Sequence, residues 1–268
     1  MPCSDAFLLS AHYDTVTLSP GAYDDTSSVA MLLDLINVVC QLEQQPKNDL
    51  MILFNNAEEI ALMGASEFAQ SDPLFERVAC VANLDCLPGT KSMLFRSQGS
   101  YMIDAYAAVP RPLGTVLAQE VAKVNTGGSD TDFSVYLTYR QGLDFAFFDA
   151  RQVISLSLII DVVMLILSSL QRYHTIADDF LYTGSLQFLG DNILALALKL
   201  LNTDVCLADL IDISTACLTF SSRRISRPQS MRPIISLASS LTCWVCFLSA
   251  IISSWPTRCT SSWPSSWR

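Results

Sequence analysis

The sequence predicts an α/β fold: a three-layer α/β/α sandwich with a mostly parallel, mixed central sheet. Three observations predict it. Apolar runs of strand length recur along the chain, helical periodicities separate several of them, and motifs bearing histidine or acid fall where the strands end. Such an alternation covers both faces of a sheet with helices, and ligands bind these sheets outside the carboxyl ends of the strands.

The first strand is AFLLSA, Ala6 to Ala11, an unbroken apolar run that leads into His12 and Asp14. A helical pattern from Thr26 to Leu42 follows, then the strand LMILFN from Leu50 to Asn55 and a helix from Ala61 to Gln70. The third strand is VACVANLD, Val78 to Asp85, and the fourth is SMLFR, Ser92 to Arg96. Helices are expected from Tyr101 to Ala108 and from Leu113 to Val124, a strand from Leu143 to Phe148, and a long helix from Leu186 to Leu201.

Two stretches depart from the alternation. Val153 to Leu170 is almost entirely aliphatic residues and serine, with Asp161 in its middle, and is marginal in length for a membrane span. Ile234 to Ile252 is a better span, with Arg223, Arg224, Arg227 and Arg232 on its N-terminal side, a flank the positive-inside rule would make cytoplasmic. The domain division expected is therefore 1–204, carrying a hydrophobic insertion at 153–171, and a tail at 205–268 with a membrane segment at 234–252. Charge supports the division: all 26 acidic residues lie at or before Asp212, and after it come six arginines and no lysine.

At 268 residues, 51% hydrophobic and 16% charged, the chain is long enough to bury a full core. Its formal charge of −10 excludes nucleic acid as an expected partner, because neutralising phosphate needs a basic face. Nine cysteines, an odd number without metal-like spacing in the acidic part of the chain, read as buried free thiols, with a Cys80–Cys86 pair as the alternative in an oxidising compartment. The opening MPCSDAFLLSAHYD has no basic region of the secretory type, so the chain is expected either to be cytosolic or to lack its true N-terminus.

The polar residues at strand ends form a constellation: His12 and Asp14, Asp24 and Asp25, Glu58 and Glu59, Asp85, and His174. Imidazole and carboxylate suit zinc, and two such metals about 3.5–4 Å apart clamp the attacking and leaving oxygens of a hydrolysis. Two imidazoles and three carboxylates, one of them bridging, complete that pair, and an adjacent glutamate can move the proton from water to the leaving amine. Asp14 stands two residues from His12, where a carboxylate can orient the ring.

The motifs SAHYDTV, PGAYDDTSSVAMLLDL, FNNAEEIALMGASEFAQ, NLD, GGSDTDFSVY and RYHTIADDF resemble the zinc aminopeptidase family of clan MH, which contains leucyl aminopeptidases, glutamate carboxypeptidases and glutaminyl cyclases. Residues Lys91 to Val121 followed by SDTDF are most similar to its endoplasmic reticulum metallopeptidase branch. The resemblance implies two zinc ions per chain: His12 and Asp85 on one, Glu59 and His174 on the other, Asp24 bridging, Glu58 as general base, and a cis peptide after Asp24. It implies an exopeptidase of aminopeptidase type acting on peptides through metal-activated water, in a lumenal domain tethered to the endoplasmic reticulum membrane. Two segments stay open: GGSDTDF lies near the substrate pocket or is a loop capped at Ser129 or Asp130, and Tyr173 faces the pocket or packs.

Relative to that family the chain is expected to be N-terminally truncated, and the 153–171 insertion is foreign to it. Two other readings remain. One is a glutaminyl-cyclase-like acyltransferase, which works with one zinc; the other is a non-catalytic binding or assembly relative.

Overall fold

A computed structural model of the chain describes residues 6–86, 93–114, 119–120, 130–146, 173–181, 184–203, 207 and 234–237. Strand β1 (Ala6–His12) lies inside the sheet, and β2 (Asp49–Asn55) and β3 (Val78–Leu84) run parallel to it on either side. Strand β4 (Met93–Gln98) is antiparallel to β5 (Gln141–Ala146), which pairs in parallel with β3. With β6 (Ile234–Leu237) parallel to β2, the order is β4-β5-β3-β1-β2-β6, a mixed and mostly parallel sheet.

All seven residues of β1 are buried, so both faces of this strand are covered. Its side chains alternate between two cores, because successive residues of a strand point to opposite faces. Phe7, Leu9 and Ala11 join one cluster with Leu32, Leu35, Ile193, Ala197 and Leu200; Ala6 and Leu8 join another with Ala65, Phe68 and Tyr136. The first cluster is the layer formed by α1 (Ser27–Cys40), α3 (Ser100–Ala107) and α5 (Ser185–Leu201). The second is the layer of α2 (Met63–Ser71) and the short α4 (Phe133–Tyr136). Helix α5 presents Leu189, Ile193, Leu196, Ala197 and Leu200 at helical spacing to the sheet, which explains its length and its position.

Three expectations are corrected or completed. No helix begins at Leu113: the Leu113 carbonyl accepts from the Leu94 amide at 2.8 Å and Gly114 bridges to Leu94, since Pro110 and Pro112 resist helix and β4 offers an unpaired edge. Gln119 and Glu120 are helical, and 115–118 and 121–129 lie outside the described residues. Ile234–Leu237, read from sequence as the start of a membrane segment, forms β6, whose backbone satisfies the outer edge of β2; 238–252 lie outside the described residues, as does the 153–171 insertion. Among the described residues no helix is long and apolar enough to cross a membrane. Cys80 and Cys86 are buried free thiols.

Because Phe7 is fully buried in the larger core, Phe7→Ala should lower the unfolding free energy by about 3–5 kcal/mol. Leu18, 80% exposed, should tolerate alanine within about 0.5 kcal/mol. Urea midpoints of the two variants check the contrast.

Candidate metal centre

Strands β1, β2 and β3 end at one level, where His12 is in register with Asn55, and the loops that follow them carry the polar residues. Those loops are strained. Leu18, Ala57, Ala61, Leu62, Cys86 and His174 all adopt positive φ, between 40° and 73°, a region that costs side-chain-bearing residues on the order of 1–3 kcal/mol each. Every one lies in a loop after β1, β2 or β3 or in the segment before α5, so among the described residues the strain gathers at the edge where the motifs meet.

The structure brings the eight residues singled out from sequence to this edge. Donor atoms of His12, Asp24 and Asp85 lie within 4.8 Å of one another, and so do those of Asp24, Glu59 and His174. Asp24 belongs to both groups. Its Oδ1 is 3.1 Å from His12 Nε2 and its Oδ2 is 2.9 Å from His174 Nε2, so the carboxylate faces the two imidazoles with different oxygens. Glu59 Oε2 is 3.2 Å from His174 Nε2, while its Oε1 accepts from the Val16 amide at 3.1 Å. The peptide between Asp24 and Asp25 is cis, and Ser28 Oγ donates to the buried Asp25 carboxylate.

Asp14 has a fuller role than its spacing suggested. The nearest partner of His12 Nδ1 is the Asp14 carbonyl, at 3.0 Å, with the Asp14 carboxylate at 3.6 Å, beyond hydrogen-bond length. Its two carboxylate oxygens instead accept from the Glu58 and Glu59 amides, at 3.2 and 3.3 Å. One short segment thus orients an imidazole and holds the loop that carries both glutamates.

Electrostatics show what the arrangement is suited to. Burial works to raise Asp24, but hydrogen bonds from His12 and His174 hold it down at about 2. Those to Asp24 and Glu59 lift His174 to about 10. Burial pushes Glu58 up to about 8, reinforced by Asp132, Glu59 and Asp24 against the pull of His12. Asp85 and Asp25 are raised too, burial being the main cause in each. Carboxylates outnumber imidazoles in this buried cluster, an excess of like charge that is expensive to desolvate. A divalent cation reverses the balance by stabilising every carboxylate it faces and displacing protons from the imidazoles. The mixed oxygen and nitrogen donors fit zinc.

Sequence reasoning did not single out two residues. Asp178, buried four positions beyond His174, accepts from the Tyr23 and Asp24 amides; its signal was the motif RYHTIADDF. Asp132, also buried, accepts from Asn55 Nδ2 at 2.5 Å and is pushed up to about 6 by burial. The segment GGSDTDF lacks the cap expected at Asp130: Thr131 Oγ1 accepts from the Phe133 amide at 3.2 Å, and Asp130 pairs with Arg96 at 2.7 Å. Ser129 lies outside the described residues. Tyr173 stacks on the His174 ring, centroids 3.8 Å apart.

A mostly parallel sheet whose strand ends gather imidazoles around a shared carboxylate defines the class, an α/β domain with a candidate metal centre at its carboxyl edge. The chain belongs to Peptidase family M28, whose profile matches residues 2–197. It is 30% identical over 211 residues to endoplasmic reticulum metallopeptidase 1 of Homo sapiens, covering 76% of this chain and 21% of that protein. It is 35% identical over 175 residues to a vacuolar membrane protease of Verticillium alfalfae, covering 64% and 15%. The chain therefore spans less than a quarter of the length of these curated relatives. Among solved structures, BSAP, a zinc aminopeptidase from Bacillus subtilis, superposes with a TM-score of 0.52 at 19% identity, over 77% of this chain and 49% of that one, a likeness of fold.

In the metal-free protein the His174 ring should titrate near pH 10. Since that value is above the ordinary 6.5, the stabilisation from its pairing with Asp24 and Glu59 is full below pH 6.5 and is lost as pH rises through 10. With only two histidines in the chain, NMR of the ring protons reads this directly, and zinc should abolish the titration.

Proposed function

We propose that this domain hydrolyses peptide bonds next to a free N-terminus, with His12 and Asp85 holding one zinc, Glu59 and His174 a second, and Asp24 bridging them. The observation that carries the reading is the Asp24 carboxylate, with one oxygen toward each imidazole. Such a geometry serves two metal positions, whereas a single-zinc acyltransferase has no use for both, and a non-catalytic relative needs neither.

When bound, the metals supply Lewis acidity toward the peptide carbonyl and make water a competent nucleophile near neutral pH. Glu58 would take a proton from the attacking water as its oxygen bonds to the carbonyl carbon. As the carbon–nitrogen bond breaks, Glu58 gives the proton to the departing amine. Its elevated proton affinity suits a group that must both accept and return a proton. Asp14 keeps Glu58 within reach through the backbone and fixes the His12 ring through its own carbonyl. The surplus of carboxylate around the centre favours a substrate whose reacting end carries an α-ammonium group. A membrane-associated setting is supported by the names of the endoplasmic reticulum and vacuolar membrane relatives.

Glu58→Gln should retain zinc and lower kcat by about 10²–10⁴-fold on an aminoacyl amide substrate. Glu59→Gln should instead weaken one metal position, because a neutral amide is a poor ligand for a dication. Wild-type chain should bind two zinc ions by elemental analysis. A stoichiometry of one together with cyclisation of N-terminal glutamine would favour the acyltransferase, and zinc binding without either activity would favour the assembly relative.

A further inference from the structure

His174 and Asp178 grip the same residue from two sides. While the His174 ring meets the Asp24 carboxylate at 2.9 Å, Asp178 holds the backbone beneath it. The Asp178 Oδ1 accepts from the Tyr23 amide at 2.6 Å and Oδ2 from the Asp24 amide at 3.3 Å. The Asp178 carbonyl accepts from the Ala22 amide at 2.9 Å, and Ser19 Oγ donates to Oδ2 at 3.4 Å. Three successive amides and one hydroxyl of a single loop thus converge on one buried aspartate about 150 positions away.

The segment between the two grips is itself braced. The Asp178 amide donates to the Thr175 carbonyl at 3.1 Å, and the Ala177 amide donates to Thr175 Oγ1 at 3.2 Å, so a tight turn fixes the spacing from ring to carboxylate. His174 stands at φ 57°, a conformation that persists only where neighbouring contacts hold it. The Asp24 loop needs such a partner as well, because amides taken out of water without an acceptor are costly.

We propose that Asp178 is a positioning residue that sets the distance and orientation between His174 and Asp24, and so matches two metal positions contributed by remote parts of the chain. This rests on Asp24 being the bridging carboxylate. Asp178 touches neither metal nor substrate; it acts through the backbone of the bridge and through the turn that ends in the imidazole. An asparagine in its place keeps one acceptor oxygen but turns an NH₂ group toward an amide donor, so it tests the carboxylate at nearly constant volume.

The experiment uses the full chain with Asp178→Asn, Asp178→Ala and, as a control on the bridge, Asp24→Asn. Zinc affinity is measured by chelator competition, and hydrogen exchange is followed at the Tyr23 and Asp24 amides in the metal-free state. Asp178→Asn should weaken zinc by about 10–100-fold and speed exchange at those two amides, while exchange in β1 and β3 stays slow. Asp178→Ala should do more of both; if it does not fold, the asparagine variant alone decides. A variant that melts earlier but keeps wild-type zinc affinity in its folded fraction would reduce Asp178 to a structural cap and overturn the proposal. Should Asp24→Asn keep both zinc ions, the bridge itself is misassigned; should it lose zinc while Asp178→Asn binds normally, only the positioning role fails.

Discussion

Everything at the carboxyl edge of the sheet depends on one buried carboxylate shared between two imidazoles. Asp24 reaches His12, twelve residues away, and His174, one hundred and fifty residues away, through different oxygens. That sharing is possible only if three chain segments arrive at one point with sub-ångström tolerance. The central sheet provides the tolerance: β1 is buried along its whole length, and its register with β2 and β3 fixes the level at which His12, the Glu58–Glu59 loop and Asp85 leave the core.

The fold handles its buried acids in two distinct ways. Asp144, in the middle of β5, is compensated by protein: Arg96 Nε at 2.9 Å, Asn83 Nδ2 at 3.1 Å and Thr131 Oγ1 at 2.9 Å surround it. That network ties three strands to the loop before α4. At the strand ends, Asp24, Asp25 and Asp85 are just as buried, yet the cationic partners facing Asp24 are imidazoles, whose charge depends on pH. The contrast between one aspartate compensated by arginine and another facing histidine is the physical ground for the two-metal proposal.

Backbone strain follows the same division. Among the described residues the non-glycine positions at positive φ gather in loops around the centre. Asp14 and Asp178 stabilise those loops by accepting backbone amides, from Glu58 and Glu59 in one case and from Tyr23 and Asp24 in the other. Acidic side chains serve here as internal acceptors for strained backbone, one shell behind the donors they support.

From the sequence alone come the layers, the strands β1 to β5 to within a few residues, and the candidates His12, Asp14, Asp24, Asp25, Glu58, Glu59, Asp85 and His174. These were legible because periodicity is local and because each motif sits next to the strand or turn that presents it. Only the tertiary structure decided that Leu113 pairs with β4, since an open sheet edge outweighs the helical pattern of the following residues. It likewise decided that Asp14 binds its neighbours' amides with its carboxylate and the His12 ring with its carbonyl, and that Asp178 belongs beneath Asp24. The Asp14–Glu58 and Asp178–Asp24 bonds join residues 44 and 154 positions apart, and no local periodicity encodes a hydrogen bond whose two ends are brought together only by packing of the sheet.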